Sequence, residues 1–214
     1  MFIPVNVEYN RNNLKYIANF LKKKEISYFI FFGTLLGITR DNDIIKNDDD
    51  VDIYINIKDR EKLISVITQT DFLIDYSLIQ NQFKYFLQLS KIYNKNINTY
   101  VELYFYEETK NHIIDRWNFR GIGNKKSADI IIPKNILFPT KEIDFNGSLI
   151  SVPKDEEGVC KFLYGKNWKK PMIKRKDYRT VIFFGRPFQL TGFFGSLMYQ
   201  IEYKFRNFLK NWFY

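Results

Sequence analysis

Four closely spaced aspartates carry the first chemical signal in this 214-residue chain: Asp48, Asp49, Asp50 and Asp52, in the run NDDDVDIYI. From Asp50 to Ile57 the sequence alternates. Val51, Ile53, Ile55 and Ile57 fall on one side, and Asp50, Asp52, Tyr54 and Asn56 on the other. A strand turns successive side chains to opposite faces, so this spacing puts the Asp50 and Asp52 carboxylates together. Two carboxylates that close repel, and burial adds a desolvation cost. A divalent cation between them removes both costs, and hard oxygen ligands select Mg²⁺ or Mn²⁺. The plainer reading of an Asp run is a solvated turn. Here the run continues into an apolar strand, which weakens that reading.

Two further elements point to the same chemistry. Gly33-Thr34 follows the apolar run SYFIFF and opens a short segment, TLLGITR. Glycine lets a phosphate approach the backbone, and a helix start offers free N–H groups and a hydroxyl. Glu102 lies inside TYVELYFY, where a carboxylate among apolar residues needs a metal or a partner. The alternative for Glu102 is a salt bridge to one of the many lysines.

Composition narrows the chemistry further. One cysteine, Cys160, excludes a disulfide framework, and one histidine, His112, excludes a histidine-rich metal site. Acid–base and metal chemistry must therefore rest on carboxylates. The net charge of +9 suits phosphorylated substrates, anionic lipid or nucleic acid, and equally reflects a general abundance of lysine. The start of the chain lacks a secretory pattern, and no stretch approaches the ~18 apolar residues of a membrane span, so an intracellular protein is expected.

The elements that must position these groups read as follows. Leu14, Ile17, Ala18 and Leu21 give a helix over about residues 10–24. Ser27–Phe32 reads as a buried strand, Thr34–Arg40 as a short helix, Asp50–Ile57 as a strand and Lys58–Thr70 as a helix. Strand-like runs follow at Phe72–Ile79, Phe83–Ile92 and Thr99–Tyr106. Asn146-Gly147 marks a hairpin between Ile143–Phe145 and Leu149–Val152, and Asp155–Tyr164 reads as a helix. Lys166–Arg179 is basic and irregular. The order of elements implies an α/β or α+β domain around a mixed sheet. His112 reads as a strand-end residue and Cys160 as helix packing.

The run FFGTLLGITRDNDIIKNDDDVDIYI, Phe31 to Ile55, resembles the signature of the LicD/fukutin family. The matching positions are Gly33, Thr34, Leu35, Leu36, Gly37, Arg40, Ile44 or Ile45, and Asp48, Asp49, Asp50 and Asp52. A second block, Phe138 to Pro171, resembles the family's C-terminal region, with its Phe-x-Gly hairpin, Val-Pro and Tyr-Gly. Asn47 stands where the family often has Trp, and Glu102 stands where it usually has Asp.

The resemblance implies a nucleotidyltransferase-like fold, a mixed sheet flanked by helices with a C-terminal extension. The expected division is a domain over residues 1–180 and an amphipathic tail over 181–214. It further implies transfer of a phosphorylated small alcohol from a CDP-activated donor to a glycan hydroxyl, with release of CMP. Phosphocholine leads, with ribitol or glycerol phosphate next, and capsule or lipopolysaccharide is the expected kind of acceptor. Asp50, Asp52 and Glu102 would be the catalytic carboxylates and the ligands of Mg²⁺ or Mn²⁺. Gly33 and Thr34 would hold the diphosphate. Arg40 would pair with a phosphate, or with Asp48 or Asp49. Asp48, Asp49, Tyr164 and Trp168 are further candidates for substrate contact. The two aromatics would stack on cytosine or hold a quaternary ammonium, unless they simply pack.

Two other functions compete: a nucleotidyltransferase acting on RNA, protein or a small molecule, and an inactive binding module of the same fold. The acidic residues argue against the second, and the LYGKNW block against the first, so no nucleic-acid partner is expected. Phe194, Leu197, Met198, Ile201, Phe205, Phe208, Leu209 and Trp212 follow helical spacing near the C-terminus. With Lys204, Arg206 and Lys210 nearby, this face suits the inner surface of the cytoplasmic membrane and a lipid-linked acceptor, or burial against protein.

Overall fold

The computed structural model describes residues 7–74, 84–93, 97–116, 129–172, 178–183 and 185–192. The chain opens with α1, Val7–Lys23, whose Leu14, Ile17, Ala18 and Leu21 are buried at helical spacing. Lys22 and Lys23 occupy its last turn, where cations complement the helix dipole. Asn10 and Asn13 share the buried face, an unusual place for amides. Next come β1 (Tyr28–Ile30), α2 (Phe32–Asp41) and β2 (Asp50–Asn56).

A 3-10 turn at Ile57–Asp59 leads into α3 (Arg60–Ile67), so the helix expected over Lys58–Thr70 is shorter and begins with a tighter turn. Asn56 Oδ1 accepts from the Lys58 amide at 3.0 Å and thereby starts that turn. β3 (Leu73–Ile74), β4 (Phe86–Tyr93) and β5 (Ile97–Glu108) follow. The run expected as a strand over 72–79 extends beyond the described residues after Ile74.

The main sheet runs β1-β2-β5-β4-β3. β2 and β5 are parallel, and the other pairs along this path are antiparallel. β6 (His112–Asp115) pairs with the end of β5 and with β7 (Ile130–Pro133). A mixed sheet flanked by helices is thus observed, as expected.

Both faces of β2 are covered: Val51, Ile53 and Ile55 on one side, and Asp52 and Tyr54 on the other, are all buried. Tyr54 stacks on Phe31 with ring centroids 4.1 Å apart and donates to Asp115 Oδ2 at 2.5 Å. The polar residues of the alternating run therefore mark a second packed layer, not a wet face.

After the short α4 (Lys134–Leu137), β8 (Lys141–Phe145) and β9 (Ser148–Val152) form the expected hairpin. Asn146 and Gly147 both take positive φ, 51° and 79°, as this two-residue turn requires. α5 (Glu156–Tyr164) is capped by Asp155 Oδ1, which accepts from the Gly158 amide at 2.9 Å.

β10 (Tyr178–Phe183) and β11 (Arg186–Thr191) form a further hairpin, and β11 packs on α5. The boundary drawn at residue 180 falls inside β10, so the described part of the 181–214 segment is strand joined to the domain. Its apolar residues are too short a run to separate from the helical pattern that follows. The amphipathic stretch from Phe193 onward lies outside the described residues. Among the described residues, no helix is long and apolar enough to cross a membrane. His112 is exposed at the start of β6, and Cys160 is buried, its thiol pushed up to about 12 by desolvation.

Candidate active site

The two parallel strands at the centre of the sheet carry the acidic residues in register. Asp52 pairs with Glu102, and Asp50 with Tyr100. Neighbouring strands lie ~4.8 Å apart and paired residues face the same way, so the carboxylates of Asp52 and Glu102 meet side by side. Asp50 joins them from two residues earlier on β2. One ligand oxygen from each of Asp50, Asp52 and Glu102 lies within 4.8 Å of the others. Asp48, Asp49 and Asp50 form an overlapping group of the same dimension.

Asp52 is 5% exposed and clamped by the turn that enters α2. Its amide donates to Thr34 Oγ1 at 2.8 Å, its carboxylate accepts from the Thr34 amide at 3.3 Å, and its carbonyl accepts from the Phe31 amide at 3.0 Å. The Gly33 amide also favours the Asp52 carboxylate. Thr34 thus uses both its hydroxyl and its amide to hold Asp52. Gly33 matters for the space it leaves, since a Cβ there would stand 3.0 Å from Asp48 Oδ2 and 3.3 Å from Asp52 Oδ2. Glycine is the residue that lets the Asp48 and Asp52 carboxylates pack this closely against the start of α2.

Glu102 is held from both oxygens. Gln88 Nε2 on β4 donates to Oε1 at 2.9 Å, and the Tyr104 hydroxyl donates to Oε2. No lysine pairs with it among the described residues, so the salt-bridge alternative has no support there. The donors hold Glu102 in place, with lone pairs still available on each oxygen.

The cluster is electrostatically unfavourable as it stands. Desolvation, then repulsion from Asp52, Asp48 and Glu102, pushes Asp50 up to about 9. Desolvation, then Asp49, pushes Asp48 up to about 6. Desolvation, then Asp48 and Glu102, holds Asp52 well above the usual carboxylate range. Like charges gathered at this cost, with only oxygen donors, match the needs of a hard divalent cation. The residues therefore fit a metal ion.

The loop that carries these aspartates is pinned from α1. Asn10 Nδ2 donates to the Asp48 carbonyl at 2.9 Å, and Asn13 Nδ2 donates to Thr99 Oγ1 at 2.8 Å. Asn13 also donates to Asn10 Oδ1 at 3.3 Å. The Tyr100 amide donates to the Asp49 carbonyl at 2.8 Å, which extends the β2–β5 ladder into the loop. Sequence reasoning missed Asn10, Asn13, Gln88 and Tyr104. The signal was there for the first two: amides three apart on the apolar stripe of a helix.

Arg40, Tyr164 and Trp168 lie apart from the carboxylates. Gly33 and Arg40 occupy opposite ends of α2, about 10 Å apart at 1.5 Å per residue. Arg40 pairs with Asp41, Nη2 to Oδ2 at 2.6 Å, and not with Asp48 or Asp49. Trp168 is 6% exposed and belongs to the core, the packing role that was its alternative. Tyr164 lines a small space with Arg40, Trp168 and Leu36.

The family model for the LicD/FKTN/FKRP nucleotidyltransferase domain matches residues 25–155, more than half of the chain. The chain belongs to this family. The LicD match encloses the α2 turn, all four aspartates and Glu102, and family membership makes the protein a transferase of the nucleotidyltransferase-like class. A search of curated proteins finds no significant sequence match. Among solved structures, the LicD-family chain is similar to a lincomycin-bound lincosamide antibiotic adenylyltransferase, LnuA. That likeness has 12% identity over 67% of this chain and 79% of the other, with a TM-score of 0.46. It is also similar to an antigenic nucleotidyltransferase-like protein from Paracoccidioides brasiliensis, with 16% identity over 71% of this chain and 63% of the other, at a TM-score of 0.43.

Proposed function

We propose that this protein transfers a phosphorylated small alcohol from a CDP-activated donor to a hydroxyl of a cell-surface glycan, releasing CMP. Phosphocholine is the first candidate, then ribitol or glycerol phosphate. The observation that supports it is the convergence of Asp50, Asp52 and Glu102 within 4.8 Å beside Gly33, whose lack of a Cβ makes room for the Asp48 and Asp52 carboxylates. Family membership supplies the class of reaction.

In this reading the acceptor oxygen attacks the phosphorus that carries the alcohol, and the bond to the CMP oxygen breaks. The acceptor's proton passes to a carboxylate of the site. Asp50, Asp52 and Glu102 would hold Mg²⁺ or Mn²⁺, which would supply charge neutralisation to the phosphoryl oxygens and the leaving CMP. Thr34 and the Gly33 amide fix Asp52 before the donor arrives. Gln88 and Tyr104 fix Glu102. Gly33 lets the diphosphate reach the cluster. Such prior ordering lowers the reorganisation that the reaction would otherwise require.

The test is incubation of the purified protein with a panel of CDP-alcohols, Mg²⁺ and candidate glycan acceptors. Acceptor-dependent CMP release that stops with EDTA supports the reading. Pyrophosphate release from a nucleoside triphosphate, with no turnover of any CDP-alcohol, replaces it with nucleotidyl transfer.

A further inference from the structure

At the opposite end of α2 from the acidic cluster, a cleft of about 390 Å³ opens between the C-terminal end of α5 and β11. Its size falls in the range of small-molecule sites, ~300–1,000 Å³. Three cations line it, Lys161, Lys166 and Arg186, and no carboxylate does among the described residues. All three side chains belong to exposed residues. The acids of α5 are engaged elsewhere, Glu156 with Lys141 at 2.8 Å and Glu157 with Lys169 at 2.9 Å. Nothing on the described surface neutralises the cleft.

Its walls are tied together. Gln189 on β11 donates to the Leu163 carbonyl of α5 at 2.7 Å and accepts from Thr180 on β10 at 2.8 Å. The cleft is therefore built into the junction of helix and hairpin. Phe188 stands 47% exposed on its lining, and Asn167 adds an amide. An aromatic face, amides and unneutralised cations are the groups that a negatively charged sugar engages: the ring's C–H face, its hydroxyls and its anion.

The cleft is also placed for the acceptor. A smaller adjoining space shares Tyr164, Met172 and Gln189 with it and reaches Leu36 and Arg40 on α2. From Arg40 the helix runs about 10 Å to Gly33, close to one Debye length at 0.1 M salt. An acceptor anion would be repelled by the acidic cluster wherever a bound metal ion does not neutralise it. One held a helix length away by three cations would not.

We propose that this cleft binds an anionic sugar unit of the acceptor glycan, one that bears a phosphate or a carboxylate. This rests on the transferase reading above and adds the charge class of the acceptor. The test measures binding of glucose 6-phosphate, glucuronate and glucose to the full chain by calorimetry at low salt. The same titrations follow for Lys166→Glu/Arg186→Glu and for the milder Lys166→Ala/Arg186→Ala. In every protein, the thermal shift with CDP and Mg²⁺ is recorded in parallel.

The expected result is binding of at least one of the two anionic sugars and none of glucose. Charge reversal should weaken that binding at least tenfold and the alanine pair less, with the CDP shift unchanged in both. Binding by the phosphate alone or by the glucuronate alone identifies which anion the cleft takes. Equal binding of glucose, no binding of either anion, or unchanged affinity in the charge-reversed protein overturns the proposal. So does a short single-stranded oligonucleotide that outcompetes the sugars, which would make this a nucleic-acid surface. Loss of the CDP shift in wild type, with sugar binding intact, would count against the donor reading and leave the cleft standing.

Discussion

Asp52 and Glu102 face one another across the parallel pair β2 and β5, one clamped by the α2 turn and the other held by Gln88 and Tyr104. Each carboxylate has its own support on a different element, so the pair is positioned without touching a cation among the described residues. Two carboxylates kept this close and this well ordered make the site sensitive to protons and metal ions alike.

Without a divalent metal, stability should fall as pH rises. Asp48 and Asp50 are pushed up to about 6 and about 9, so the folded protein holds their protons more tightly than the unfolded chain does. That contribution is fully present below the unfolded value of ~4 and is lost as pH rises through the folded values. Melting temperatures in EDTA should therefore decline from about pH 5 to about pH 9. Added Mg²⁺ should restore most at the alkaline end, because bound metal replaces those protons. A flat profile in EDTA would remove the electrostatic account of the cluster.

The two aspartates of β2 should differ when substituted. Asp50→Asn removes repulsion and should raise the melting temperature of the metal-free protein, while transfer falls by roughly 10³-fold or more. Asp52→Ala should abolish transfer too. It also strips the acceptor from the Thr34 and Gly33 amides, at about 1–3 kcal/mol for unpaired buried donors, offset by the repulsion removed. Asp52→Asn keeps an acceptor oxygen and should be more stable than Asp52→Ala. Thermal melts of the three proteins in EDTA check the ranking.

Glu102→Gln should cost orders of magnitude in rate while CDP binding survives. Tyr104→Phe removes one donor to Glu102 and should have a far smaller effect, roughly tenfold in rate and about 1 kcal/mol in stability. If Glu102→Gln lost stability and kept its specific activity, Glu102 would be structural. Single-turnover rates and denaturant midpoints on the same preparations separate the two.

Asn10→Ala should loosen the acidic loop from a distance. It removes the donor to the part-buried Asp48 carbonyl and a buried acceptor of Asn13, for about 1–3 kcal/mol. The informative readout is the Mg²⁺ dissociation constant, which should rise. Asn13→Ala removes the bond to Thr99 and should cost similar stability with a smaller effect on Mg²⁺. Equal metal affinity in both variants and in wild type would confine Asn10 to folding.

Much of this site was legible in the sequence because two simple periods carry it. Alternation at Asp50–Asn56 placed Asp50 and Asp52 together, and a charged residue inside an apolar strand drew attention to Glu102. Neither period reveals that β2 and β5 lie side by side, or that they pair with Asp52 opposite Glu102. That register depends on packing between distant segments. Thr34 illustrates another limit. A hydroxyl at a helix start suggested phosphate, but in the folded chain the nearest acceptor and donor belong to Asp52, eighteen residues away. The hairpin at Asn146-Gly147 was legible because its positive φ angles demand those residue types. The β10–β11 hairpin has no such demand in its strands and was not recognised. Its bend is made by Gly185, whose φ of 74° and close approach to Ile131 become visible only in the fold.

The in-register pairing of β2 with β5 also bears on how the chain reaches its native state. Asp50 opposes Tyr100, so forming this pair closes a loop of some fifty residues, an entropically slow step of the kind that limits folding rates. The same step brings Asp52 against Glu102. Chain closure and crowding of these carboxylates therefore occur together, and where that closure limits the rate the transition state for folding would carry part of the repulsion of the finished site. Acid or millimolar Mg²⁺ would then speed refolding as well as stabilise the product, and the acidic cluster would act as a brake on nascent chains that a divalent cation releases.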